Sequence, residues 1–127
     1  MINIPGDRRD EDIREMGALA TRYFDEIVFR EDPARRGRKP GEIVELLVEG
    51  ALAEGFSEDR IRRVMNEEDA APVCLDMARP GDLVVLTPTE VEAMWQQVLD
   101  FRVSPESRLE AEIERRTKGI DPWQRTA

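Results

Sequence analysis

Four short runs of β-type residues alternate with four amphipathic stretches over the first hundred positions, and few architectures accept that order. Ile2-Asn3-Ile4 is apolar at both ends and is broken by Pro5-Gly6. Asp7 is a candidate cap for a helix with Asp10, Glu11 and Asp12 in its first turn and Ile13, Met16, Ala20 and Phe24 on its apolar face. Ile27-Val28-Phe29 is β-branched and aromatic, which reads as a strand. Pro40 suits the first position of a second helix, whose stripe is Ile43, Leu46, Leu47 and Ala51, ending near Gly55. After a turn at Ser57–Asp59, the run Ile61–Met65 is a weaker strand, because Arg62 and Arg63 interrupt it. Asn66 can cap a third helix with Glu67, Glu68 and Asp69 in its first turn and Val73, Cys74 and Met77 facing inward. Pro72 weighs against that helix, and Arg79-Pro80-Gly81 ends it. Leu83-Val84-Val85-Leu86 is an unbroken apolar run, the pattern of a strand buried on both faces. Thr87-Pro88-Thr89-Glu90 reads as the capped start of a fourth helix with the stripe Val91, Met94, Trp95 and Val98.

This order predicts an α/β fold over residues 1–103: an open, mostly parallel sheet of about four strands with helices on both faces. From Ser104 the character changes. Ser104-Pro105-Glu106 caps one more helix through about Lys118, with only Leu109, Ala111 and Ile113 as apolar content. Residues 104–127 therefore read as a helical tail, with Trp123 able to tuck onto the body.

Charge and composition exclude several function classes. The 28 acidic and 19 basic residues give a formal net charge of −9, which argues against nucleic acid as a partner. Residues 1–40 are balanced, nine acidic against nine basic, so the excess lies beyond them. The chain has no histidine, which removes Ser-His-Asp and Cys-His catalysis and histidine-ligated zinc within it. A single cysteine, Cys74, cannot form an internal disulfide, so a reducing, cytoplasmic compartment is expected. Cys74 and Trp95 are both expected in the core. No apolar run approaches the roughly 20 residues of a membrane span, so no membrane partner is expected. The N-terminus is charged by position 7 and does not read as a signal peptide.

In an open parallel sheet, ligands bind at the carboxyl ends of the strands. The loops on that edge are 5–10, 30–39, 66–68 and 87–89, which brings Asp7, Arg8, Arg9, Asp10, Arg35, Arg36 and Arg38 together by topology alone. Arginine forks match carboxylate and phosphate, so an anionic ligand is expected there. The neighbouring acids Asp7, Asp10, Glu31 and Asp32 offer the competing outcome, a self-satisfied network of ion pairs. No GxxxxGK[ST] or GxGxxG motif is present, so no nucleotide cofactor is expected in this chain alone. Glu67-Glu68-Asp69 could hold a magnesium ion, but a helix first turn is a sufficient reason for it, and no metal ligand is assigned.

Three segments read together resemble the C-terminal domain of cyanophycin synthetase, whose C-terminal half is a Mur-ligase-like module. They are Pro5-Gly6-Asp7-Arg8-Arg9-Asp10-Glu11-Asp12-Ile13, then Phe24-Asp25-Glu26-Ile27-Val28, then Arg30-Glu31-Asp32 with Arg36-Gly37-Arg38. Ala78-Arg79-Pro80-Gly81-Asp82-Leu83-Val84-Val85 is similar to the last strand entry of Mur-ligase C-terminal domains. The resemblance covers about residues 2–100. It implies a Rossmann-like fold and the C-terminal lobe of an ATP-driven amide ligase working through an acyl-phosphate. In cyanophycin synthetase the Mur-like half adds arginine to an aspartate side chain of a poly-aspartate backbone. It further implies that Gly6, Asp7, Arg8 and Asp10 face the active-site cleft. Arg36 and Arg38 would lie near the segment that recognises the incoming amino acid, so Asp7, Arg8, Asp10, Arg36 and Arg38 are the implied substrate-binding residues.

The chain departs from that pattern in lacking the P-loop domain, the ATP-grasp half and the opening strand–helix unit with its histidine-containing turn. The expectation is a lobe that is not catalytic alone, with ATP and Mg belonging to the complete enzyme. It would work with a ligase central domain or a partner chain, and help place an amino-acid acceptor. The rival is a free-standing binding or assembly protein that kept the fold without ligation. A self-sufficient enzyme has the least support, since no nucleophile–base pair is visible. Loss of the opening unit would uncover apolar surface, so a homodimer is expected.

Overall fold

The computed structural model describes residues 1–101 and Ile113. The expected tail helix 104–118 and Trp123 lie outside the described residues. Within them the order is α1 (Asp10–Ala20), β1 (Ile27–Arg30), α2 (Glu42–Ala53), a short 3-10 turn (Glu58–Arg60), β2 (Ile61–Val64), α3 (Glu67–Met77) and α4 (Val91–Asp100). The chain is thus α/β, with a parallel two-stranded ladder pairing Ile27 with Ile61 and Arg30 with Val64.

Strand β1 organises the core because its side chains alternate between two faces. Ile27 and Phe29 join Ile13, Ala20, Ile43, Leu47 and Ala51 under α1 and α2. Val28 instead joins Ala70, Ala71, Cys74 and Met94 under α3 and α4. Helices therefore cover both faces, as the alternation predicted. On the first face, Gly17 and Gly50 set the contact between α1 and α2. A Cβ on Gly17 would lie 1.9 Å from the Leu47 carbonyl oxygen, and one on Gly50 would lie 1.9 Å from that of Arg14.

The expected four-stranded sheet is present only in part. Ile2 makes one parallel bridge to Phe29, donating to the Val28 carbonyl at 2.9 Å and accepting from the Arg30 amide at 3.0 Å. Among the described residues the run Leu83–Leu86 forms no ladder. Its link to the sheet is the N-terminal ammonium, which donates to the Val85 carbonyl at 2.8 Å, with Thr87 Oγ1 donating to the Met1 carbonyl at 2.9 Å. Nor is the run buried on both faces. Val84 and Leu86 pack against the second cluster, whereas Leu83 is 88% exposed and Val85 is also exposed.

Helix ends shifted for identifiable reasons. Helix α1 starts behind Arg9, not Asp7, and Ile13, Gly17 and Ala20 are its buried line, so Met16 faces outward. Helix α2 starts behind Gly41, whose φ of 85° lets the chain turn sharply after Pro40. Asn66 does cap α3, accepting from the Asp69 amide at 2.8 Å. Pro72 is tolerated inside α3 because the Glu68 carbonyl, which loses its usual donor, accepts from Gln97 of α4 at 3.1 Å. Thr87 is not the cap of α4; its hydroxyl is used by Met1, and the Glu67 carboxylate of α3 accepts from the Thr89 and Glu90 amides instead. Of the expected α4 stripe only Met94 is buried, and Trp95 is 61% exposed, so it is not a core residue. Cys74 is buried as expected.

Candidate functional site

Every parallel segment ends on the same side of the molecule, so the loops after Ile4, Arg30, Val64 and Leu86 meet there. Three side chains tie them together. Arg30, fully buried on the α3–α4 side of β1, donates to the Thr87 carbonyl and Thr89 Oγ1 at 3.0 Å each and pairs with Glu67 at 2.9 Å. Its Nε has no partner among the described residues. Burial pulls the guanidinium below its usual pKa, and Glu67 opposes that shift by holding the charge.

Glu31 and Asp32 continue inward from β1. Glu31 Oε2 accepts from the Gly41 amide at 2.9 Å, at the start of α2, while Oε1 is buried with no partner among the described residues. Desolvation raises the Glu31 carboxyl, and the Gly41 hydrogen bond opposes the rise. Asp32 accepts from the Asn3 amide group and from the Ala34 backbone, closing the turn behind it.

Arg38 is the third tie. It donates to the Gly6 carbonyl at 2.9 Å and the Arg8 carbonyl at 2.8 Å, and pairs with Asp10 and Glu42 at 2.7 Å each. These bonds raise the Arg38 guanidinium and lower the Glu42 carboxyl. Gly6 lets the two loops meet: its amide donates to Ala34, and a Cβ there would lie 2.0 Å from the Arg35 carbonyl oxygen.

The expected site residues therefore divide. Asp10 and Arg38 are brought together, but bonded to each other. Asp7 and Arg8 are exposed on the 5–9 loop, only 3.9 Å apart at their closest. Arg9 is engaged by Asp12 at 2.9 Å. Arg36 is exposed and makes no side-chain hydrogen bond or ion pair among the described residues. It holds φ at 52°, beside Gly37 at 86°. Sequence reasoning missed Arg30 and Glu67 as a pair. The available signal was a charged residue continuing the apolar Ile27–Phe29 strand, where a buried position demands a partner.

The polar loops of this α/β unit thus converge at the carboxyl ends of its parallel strands, the edge at which open α/β sheets in general bind ligands. No family model matches the chain. It is 41% identical over 91 residues to the cyanophycin synthetase of Crocosphaera subtropica, covering 72% of this chain and 10% of that protein. The cyanophycin synthetase of Geminocystis herdmanii is 33% identical over 106 residues, 84% of this chain and 12% of its own length. That of Synechocystis sp. is 39% identical over 91 residues, 72% of this chain and 10% of its own length. The chain is a domain related to the cyanophycin synthetases, and it spans about a tenth of the length of the curated relatives it matches.

Proposed function

We propose that the chain is the C-terminal, Mur-ligase-like lobe of an ATP-dependent amide ligase resembling cyanophycin synthetase. It is not catalytic alone and helps position the amino-acid acceptor. The observation that carries this reading is Arg36. It is an exposed arginine held in a left-handed conformation that non-glycine residues adopt at a cost, and such strain collects at binding sites. Around it, Arg38, Asp10 and Gly6 fix the loops, so their role is to position the edge while Arg36, Arg8 and Asp7 face a ligand.

The edge does not fit nucleotide phosphates. Its enclosed arginines, Arg30 and Arg38, are already held by carboxylates and carbonyls. ATP and magnesium therefore belong to a separate ligase central domain or partner chain, and no step passes through them here. A cytoplasmic setting goes with this reading. Among the described residues, no helix is long and apolar enough to cross a membrane.

The test is a titration of the chain with aspartate-rich peptide, L-arginine and inorganic phosphate, read by amide chemical shifts. The expected result is movement of the Asp7–Asp10 and Arg36–Arg38 resonances, weakened by about 1–3 kcal/mol in Arg36→Ala, the range for a charge-assisted hydrogen bond. ATP should not bind at micromolar concentration. If all three probes leave the resonances unmoved, the self-satisfied network is the correct description.

A second reading, a free-standing assembly protein, is favoured by the outer face of α4, where Val91 and Trp95 are more than half exposed. It predicts a homodimer that Trp95→Ala converts to monomer in light scattering; a monomer before and after the substitution removes it.

A further inference from the structure

The run that leads into the 87–89 loop carries a second feature. The run 83–86 alternates half-buried Val84 and Leu86 with exposed Leu83 and Val85, the period of an extended strand. In such a strand alternate residues turn their amide and carbonyl to opposite sides. The Val85 and Thr87 carbonyls face the sheet, accepting from the Met1 ammonium and from Arg30. Val84 and Leu86 therefore turn their backbone groups the other way. Among the described residues, the amides of Leu83, Val84, Val85 and Leu86 donate to nothing, and the Val84 and Leu86 carbonyls accept from nothing. A row of unpaired groups is a template for another strand.

The surroundings select what would pair with it. Next to the run opens a cavity of about 290 Å³. Its apolar wall includes Tyr23, Met77 and Leu83, and its carboxylates are Asp25, Glu26 and Asp82. Among the described residues no arginine or lysine lines it, and the one cation there, the Met1 ammonium, already donates to the Val85 carbonyl, so the carboxylates outnumber it three to one. Tyr23 is 78% exposed at this place. Apolar walls, an exposed ring and three carboxylates suit a long side chain with a cationic head.

We propose that the 83–86 edge binds an extended, basic peptide segment by strand addition, with one arginine or lysine side chain of that segment entering the cavity. Backbone pairing through Val84 and Leu86 supplies the register, and Asp25, Glu26 and Asp82 supply the preference for positive charge. Occupancy of this site does not depend on the ligase reading.

The experiment uses the full chain with two synthetic peptides, acetyl-Arg-Val-Arg-Val-Arg-amide and acetyl-Glu-Val-Glu-Val-Glu-amide, and with arginine amide as a single-residue control. Hydrogen exchange and chemical shifts are followed residue by residue. The basic peptide is expected to slow exchange at Val84 and Leu86 by about tenfold or more, the protection that a paired strand confers. Asp25→Asn with Glu26→Gln should weaken its binding several-fold and flatten its salt dependence. Leu86→Pro, which removes one outward amide, should abolish the protection at Val84 while the Arg36–Arg38 resonances stay in place. Equal protection by the acidic peptide overturns the proposal. So do shifts from arginine amide that match those of the peptide without any protection. Protection that appears with rising protein concentration and no peptide would assign the edge to a second copy of the chain, and would also overturn it.

Discussion

Helix α4 is tied down more by the Glu67 carboxylate at its start than by its own packing. Met94 is its only buried residue, worth about 1.5–3 kcal/mol on full burial. Glu67, in contrast, carries the Thr89 and Glu90 amides at 2.7 and 3.1 Å and neutralises Arg30 at 2.9 Å. Removing one member of a buried pair costs about 3–5 kcal/mol, because the other charge stays behind. Here Arg30 would be left fully buried, with Thr89 Oγ1 and the Glu31 and Thr87 carbonyls as acceptors and only the Asp32 carboxylate, too far for a direct ion pair, as counter-charge. Undocking α4 caps the loss, since exposing Arg30 sacrifices little beyond Met94. Glu67→Ala should therefore destabilise by about 3 kcal/mol. Replacing both charges, Arg30→Met with Glu67→Gln, should stay within about 1 kcal/mol of the parent, since apolar substitutes for buried pairs are often neutral. Urea unfolding followed by circular dichroism gives both values. Hydrogen exchange should show residues 87–100 opening in Glu67→Ala while α1 and α2 keep their protection. Equal losses in the single and double variants, or a loss below about 0.5 kcal/mol in Glu67→Ala, the range of an ordinary surface change, would refute the reasoning.

Three further outcomes follow from other parts of the structure. Gly6→Ala, which drives a Cβ against the Arg35 carbonyl, should cost about 1–3 kcal/mol in the same urea assay and broaden the Arg36–Arg38 resonances. Glu31 has a raised folded pKa, so the folded state binds its proton more tightly than the unfolded state does. Its contribution is therefore lost as pH rises from about 4, the ordinary carboxylate value, through the folded pKa; the stability of Glu31→Gln relative to the parent should increase over that window, and a flat difference contradicts it. Burial pushes the Cys74 thiol up, so the folded chain should react with a thiol reagent at pH 8 at less than about a tenth of the rate in urea.

Where two levels of the sequence agreed, the fold was legible. The Ile43, Leu46, Leu47, Ala51 stripe and the Asn66 cap each had periodicity and chemistry pointing one way, and both stand in the structure. The 83–86 run misled because four consecutive apolar residues look the same whether one face or two are covered. Thr87 misled because a tertiary partner, the Met1 carbonyl, competes for its hydroxyl, and the amides ahead of α4 turn to Glu67. The edge loops were located by topology, since parallel segments must end on one side. Which arginines stay available could not be read from sequence. Arg38 lies two residues from Arg36, yet the distinction rests on Asp10 and Glu42 reaching one and not the other.

The most direct test of the ligase-lobe reading is a graft. The 91-residue segment of the Crocosphaera subtropica cyanophycin synthetase that aligns with this chain would be replaced by this chain's own residues, and ATP-dependent polymer synthesis measured. The folded chimera is expected to keep synthesis, and Arg36→Ala within the graft to raise the amino-acid KM while the chimera's Tm holds. A chimera that folds with the parental Tm and makes no polymer, or one indifferent to Arg36→Ala, would contradict the ligase-lobe reading.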